Sequence, residues 1–328
     1  MTEPSAAHRM RERWLMLSGN TRGTLWMIAS GIGFTIMAIG IKQLGQRLDS
    51  LQIGFFRVLI GFIVILPFVA QVGLERLRTR HLRVHFVRAV FGLIAMYCSY
   101  YALARMPLAD YTALSFTKPL FATALAVVIL GEVVRWRRWS ATIVGFLGVL
   151  IMVRPGHGTF EPAALAVLTD AFAIAFLVTL VKRLPPQETP LGMLYWFGLF
   201  AVVLSVPGAI HAWQWPTLPE SLWLAAVGIL GALSQSFWIR AFRAGEASAV
   251  APFDYLRLIF AAVVGVMLFG EWPTGWTLIG AAVIVASTIY IARRESQLGK
   301  TAMPAPAEPV MGYPLATPTV DSSPADRR

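Results

Sequence analysis

Residues 104–132 read ARMPLADYTALSFTKPLFATALAVVILGE, and residues 243–271 read RAGEASAVAPFDYLRLIFAAVVGVMLFGE. At a shift of 139 positions Lys118 falls on Arg257, Phe121-Ala122 on Phe260-Ala261, and Gly131-Glu132 on Gly270-Glu271. Both are apolar runs long enough to cross a bilayer, each with one cation near its middle and a Gly-Glu pair at its exit. A cation at membrane depth is costly and faces a protein interior or a wet cavity. Its occurrence at matched places predicts two like halves built around one polar site.

The surrounding composition agrees with a membrane setting. Of 328 residues 57% are hydrophobic and 14% charged, with a mean hydropathy of +0.64. A water-soluble domain carries about 25% charged residues, so the polar coat is missing. The expected class is an all-α polytopic membrane protein, because a transmembrane barrel would show short alternating segments instead of runs near a bilayer's width. Ten spans are read: 22–41, 51–71, 84–105, 108–130, 138–153, 161–182, 190–212, 219–242, 247–269 and 273–292. The polar N-terminal segment 1–21 has no cleavable apolar stretch, so the first long run is expected to stay as a membrane helix. Residues 294–328, rich in Pro, Ala, Ser and Thr, are expected to be a disordered tail.

Charge sets the orientation. Most of the 28 cations fall in the N-terminus, alternate loops (Arg76 to Arg83, Arg135 to Arg138, Lys182-Arg183, Arg240 and Arg243) and the tail. The opposite loops hold only Lys42, Arg47, Arg105 and Arg154. This bias predicts both termini in the cytoplasm, and it explains the net charge of +11 without a nucleic-acid partner. Five spans per repeat is an odd number, so the halves 22–154 and 155–293 are expected to be inverted relative to each other. Inverted repeats of this kind build secondary transporters around a midplane site.

Candidate site residues follow from depth. Lys118 and Arg257 sit too far from either end for easy snorkelling, and Pro119 and Pro252 can distort the helices beside them. Asp254 lies three residues before Arg257, where the two can pair. Asp170, in mid-span six, must find a partner across the bundle; it is either the counter-ion of a buried cation or a proton-coupling carboxylate. Arg57 and Arg88, nearer the ends of their spans, are weaker candidates for touching substrate. Tyr97 and Gln235 are polar groups well inside spans. The remaining aromatics (Tyr100, Tyr101, Tyr195, Trp196, Phe237, Trp238) are read mainly as packing and interfacial belt. If the buried cations share one cavity, its field favours a substrate with an anionic group. Gly145-x-x-Gly148 and Gly228-x-x-Gly231 are read as places of close helix contact.

Other chemistries lack their residues. Gly31-x-Gly33 lies inside an apolar run without a preceding strand, and there is no phosphate-binding GxxxxGK[ST] loop. Cys98 is the only cysteine, so neither a disulfide framework nor a cysteine metal site is available. His81 and His85 are read as solvated or facing headgroups, and no metal or cofactor is expected. An intramembrane enzyme would need a Ser–His pair or HExxH at depth, and a sensor or scaffold would need a soluble output module; these remain the alternatives to a transporter.

Several short motifs in order complete the reading: RxxxG (Arg88 to Gly92), YAL (Tyr101 to Leu103), PLAD (Pro107 to Asp110), LGE (Leu130 to Glu132) and VRPG (Val153 to Gly156). Together they resemble the drug/metabolite transporter superfamily, EamA branch, over residues 22–293. The first half is similar to bacterial members that carry S-adenosylmethionine, riboflavin or amino acids. The resemblance implies a cavity lined mainly by spans 1, 3, 4, 6, 8 and 9, a small-molecule substrate, and the bacterial inner membrane. The second half departs from PLAD, reading Glu246-Ala-Ser-Ala, so equal work by Lys118 and Arg257 is not implied. Solute, direction, coupling ion and oligomeric state are left open.

Overall fold

The computed structural model describes residues 17–72, 77, 79–131, 136–153, 162–181, 190–246 and 250–302. Among them the secondary structure is helical, with no strand. The first half comprises α1 (Gly19–Leu44), α2 (Ser50–Val72), α3 (Leu82–Arg105), α4 (Leu108–Ser115), α5 (Lys118–Leu130) and α6 (Trp136–Val153). The second comprises α7 (Pro162–Val181), α8 (Pro190–His211), α9 (Leu218–Ala244), a 3-10 turn (Ala251–Tyr255) leading into α10 (Leu256–Phe269), and α11 (Gly275–Ala302). Eight segments are long and apolar enough to cross a bilayer, with α4 and α5 counted as one; Trp139–Val153 and Gly275–Ile291 are shorter apolar helices. The chain is thus a polytopic helical membrane protein, and these ten segments fall on the ten expected spans. Its outer surface is apolar, with Val128, Ile143, Leu150, Ile210 and Met267 more than half exposed, as lipid requires and water does not.

Two expectations change. The tail was expected from residue 294, but α11 continues to Ala302; the stretch RRESQLGKTA holds good helix formers, and the first proline comes only at Pro304. Span four is not one helix, because it breaks at Phe116-Thr117. Pro119 sits in the first turn of α5, where its missing N–H costs nothing. Span nine has its irregularity at the matched place, as a 3-10 turn with Pro252 in its own first turn. The exits match as well: Gly131 and Gly270 close α5 and α10 in the left-handed region, at φ 67° and 66°. Glycine reaches that region without strain, and it is the usual way to end a helix. Glu132, Arg154, Lys182-Arg183, and the residues of the expected N-terminal segment and tail that are not named above lie outside the described residues.

The helices pair across the two halves. A seam of small residues joins α1 to α9: an added Cβ on Gly19 or Gly23 would meet backbone oxygens of Ala244 or Ala241 at 2.5 and 2.8 Å, and one on Gly33 would meet Ser234 Oγ. The contacts Gly23–Ala241, Gly33–Ser234 and Gly40–Trp223 run in opposite order, so these helices are antiparallel. α3 packs on α7 in the corresponding combination, through Gly92 against Leu177 and Phe91 against Phe176. α2 is antiparallel to α8 (Leu51 at Gly208, Phe62 at Gly198), and α6 to α11 (Gly145 at Ser287, Met152 at Gly280). Both glycine pairs picked out in the sequence serve close approach, Gly148 beside the Gly280 carbonyl and Gly228 under Ile60.

Candidate functional site

The break in span four decides the site. It makes Lys118 the first residue of α5, and the 3-10 turn in span nine makes Arg257 the second residue of α10. Each cation therefore sits just after an irregularity in mid-span, at matched depth in the two halves. A fixed cation at that depth calls for an anion or a wet cavity.

Asp170 of α7 supplies one anion. Its Oδ2 lies 3.1 Å from Lys118 Nζ, and the Asp170 side chain is 4% exposed. Lys118 is deep in the bundle yet keeps 32% of its side chain accessible. The contact is one of charge more than of aligned hydrogen bonding, since Oδ2 accepts no well-directed bond. Tyr111 of α4, hydrogen-bonded to Ser99 of α3, lies in the field of Asp170, Lys118 and Arg257. Asp170, Lys118, Tyr111 and Arg257 thus share one neighbourhood. Phe121 of α5 stands edge-on to Phe172, one half-turn beyond Asp170.

Arg257 has different company. Its guanidinium lies 5.5 Å from the ring centres of Phe34 and of Phe116, within cation–π range of both. Gly31 of α1 leaves room for it, its would-be Cβ standing 3.9 Å from Arg257 Cβ. The expected Asp254–Arg257 pair does not form. Arg257 turns to the two rings, while Asp254, in the 3-10 turn, keeps a buried Oδ1 without a hydrogen-bond partner.

The other sequence candidates scatter. Arg57 does not snorkel outward: it folds back along α2 past Gly61, lodges against Gly231 of α9, and reaches the buried Tyr100 of α3. Gly231 exists for it, because a Cβ there would sit 2.3 Å from Arg57 Nε. Arg88 stays at the opening turns of α3, with Nη1 3.3 Å from His85 Nδ1. His85, expected to be solvated, is fully buried and also meets Thr79 Oγ1 at 3.4 Å. Tyr97 packs against Gly54 and within the apolar cluster of Val58, Leu93 and Ala201, its hydroxyl buried near Ser205 without a well-formed hydrogen bond. Gln235 is exposed, one turn beyond Gly231 on α9. The aromatics form no single cage: Tyr195 meets Phe62, Trp196 donates to the Leu77 carbonyl, and Trp238 meets Phe242.

One polar cluster is absent from the sequence reading altogether. Lys42, taken there for a loop cation, is 5% exposed near the end of α1 and forms an ion pair with Glu271 just after α10. Its Nζ also donates to the Met106 carbonyl at 2.7 Å, and Glu271 Oε2 accepts from the Leu108 N–H at 3.0 Å. The only sequence signal was the repeated Gly-Glu pair, which marked Glu271 without a partner. Among the described residues no group of three His, Cys, Asp or Glu could hold a metal ion.

Comparison with known proteins agrees with this architecture. The profile of a family described as the EamA-like transporter family matches residues 21–154 and, a second time, residues 161–293. An S-adenosylmethionine uptake transporter of Rickettsia bellii is 34% identical over 275 residues, covering 84% of this chain and 94% of that protein. A riboflavin transporter of Vibrio cholerae is 31% identical over 282 residues, covering 84% and 94%. A pseudopaline exporter of Pseudomonas aeruginosa is 28% identical over 273 residues, covering 83% and 96%. One solved crystal structure shares the fold at a TM-score of 0.57 and 19% identity, over 84% of this chain and 98% of that one.

Proposed function

Since the chain belongs to the EamA-like transporter family, we propose that it carries a small organic metabolite bearing an anionic group across the bacterial inner membrane by alternating access. Relatives named for S-adenosylmethionine, riboflavin and pseudopaline transport support a metabolite of modest size, and they include both uptake and export. The observation that carries the reading is the placing of Lys118 and Arg257 at matched depth, just after the irregularities of spans four and nine. Both cations stand near one buried carboxylate, Asp170. A substrate carboxylate or phosphate supplies the missing negative charge. A substrate ammonium would compete with Lys118 for Asp170, so zwitterions fit as well.

In this reading residues 22–154 and 155–293 are two repeats related by inversion, with both termini cytoplasmic. The antiparallel packing of α2 on α8 and of α6 on α11 supports it, because equivalent helices must run oppositely across such an axis. Asp170 is the carboxylate placed to carry a coupling proton when substrate takes Lys118 away from it. The partners are the solute and the surrounding lipid; the reading uses no cofactor, enzymatic step or nucleic acid.

The test is uptake into proteoliposomes with radiolabelled S-adenosylmethionine, which carries a carboxylate, and riboflavin, which carries no anionic group, with and without a pH gradient. S-adenosylmethionine is expected to accumulate, and uptake of riboflavin alone would reject the requirement for an anionic group. Lys118→Ala and Arg257→Ala are each expected to lower the rate about tenfold or more while the protein remains monodisperse. Asp170→Asn is expected to remove any stimulation by the gradient. Wild-type rates in both cation variants would reject the site.

A further inference from the structure

The Lys42–Glu271 cluster lies away from the substrate site and binds three corners at once. Lys42 is near the end of α1, Met106 and Leu108 form the corner from α3 to α4, and Glu271 follows α10. Leu108 precedes Lys118 along the α4–α5 span by about 15 Å at 1.5 Å per residue, so the cluster sits toward the end of the bundle. Around it lies a dry apolar layer of Ile41, Leu44, Leu48, Leu103, Leu108 and Leu224, each 2% exposed or less. Phe269 places its ring 5.2 Å from Lys42 Nζ. This end of the bundle is closed by apolar packing, and the two charges set into that packing are joined to each other.

A buried ion pair is a poor way to stabilise a plug. Its desolvation cost roughly cancels its attraction, and apolar residues of like size would hold the corners together better. What the pair does provide is a contact that costs little to break when water enters, since both ions and the freed backbone groups are then hydrated. A closure meant to be permanent has no use for that property, whereas a closure that opens every cycle does. The glycine turn aims the carboxylate inward: at Gly270, φ 66°, the chain doubles back, and the Glu271 N–H donates to the Gly265 carbonyl at 2.9 Å.

We propose that Lys42, Glu271 and the backbone groups of Met106 and Leu108 form a reversible latch that shuts this end of the transport pathway. In the orientation given above that is the periplasmic end, so the structure is closed to the outside. The latch rests on the transport reading but has its own test, which requires no substrate. A reporter cysteine is placed in the plug as Leu224→Cys in a Cys98→Ser background. Its labelling by a membrane-impermeant thiol reagent is followed in right-side-out vesicles, beside the melting temperature of the purified protein.

Glu271→Gln removes one arm of the latch, and labelling of the reporter is expected to rise about tenfold, as the open population grows. The double variant Lys42→Met/Glu271→Met leaves no buried charge and replaces the latch by apolar packing. It is expected to melt no lower than the parent and to be labelled more slowly than it, because closure becomes harder to undo. A pair serving only to hold the fold would behave otherwise. Equal labelling in all three proteins overturns the proposal, as does faster labelling of both variants.

Discussion

Asp170 is 4% exposed and depends on Lys118 for compensation. Removing Lys118 leaves the buried Asp170 charge unmatched, at a cost of about 3 kcal/mol. Removing Asp170 costs less because Lys118 is partly accessible, whereas removing both avoids most of the penalty. Lys118→Ala and Asp170→Ala are therefore each expected to lower thermal stability more than the double variant does, while all three fail in uptake; a double-mutant cycle on melting temperature and transport separates the two effects. Gly231→Ala makes a second case. Its Cβ would meet Arg57 Nε at 2.3 Å, so the guanidinium must leave Tyr100. A loss of about 1–3 kcal/mol is expected from the displaced packing. Gly131→Ala, by contrast, meets nothing within 4 Å, and φ alone sets its cost, about 1 kcal/mol. Depth in the sequence was enough to pick out Lys118, Arg257 and Asp170, because intramembrane charge is rare. A cation partner for Asp170 was among the readings, and Lys118 fills that place; the surroundings of Arg257 were not legible. Local spacing suggested Asp254 for Arg257, yet the arginine sits between the rings of Phe34 and Phe116. Lys42 was hidden for the opposite reason, since near a helix end it reads as an ordinary loop cation.

At the level of helices, spans were legible to within a few residues because an apolar run in a bilayer has its length set by thickness. The breaks were legible only in part. Pro119 and Pro252 marked the places, but a proline permits several outcomes, and only packing chose an interruption at Phe116-Thr117 in one case and a 3-10 turn in the other. Thr288 Oγ1 of α11 donates chiefly to the Ile284 carbonyl at 2.8 Å and lies 3.4 Å from the Phe116 carbonyl at the break. Thr288→Val removes this hydroxyl at a cost of about 1 kcal/mol, readable as a lowered melting temperature. The contact of α6 with α11 is more demanding. A Cβ on Gly280 would meet the Gly148 carbonyl oxygen at 2.7 Å, and backbone cannot step aside as a side chain can. Gly280→Leu is accordingly expected to separate these helices and to lower expression of folded protein, measured by fluorescence-detected size exclusion.

For the molecule as a whole, the principal pairs each take one helix from either half: α1 with α9, α3 with α7, α2 with α8, α6 with α11. The repeat in the sequence pointed to two like halves around one polar site. Their contacts are interlaced, and which helix touches which was not legible because a repeat fixes what is alike without fixing what touches. Interlacing also has a bearing on biogenesis. A nascent first half leaves the ribosome with its glycine seams bare, α1 waiting for a helix that has yet to be translated, so the early chain is a client for insertases and quality-control proteases until α9 arrives. Cutting the gene between α6 and α7 should then yield two fragments that are each degraded alone but recover together when co-expressed, and immunoblotting of membranes would reveal the mutual rescue.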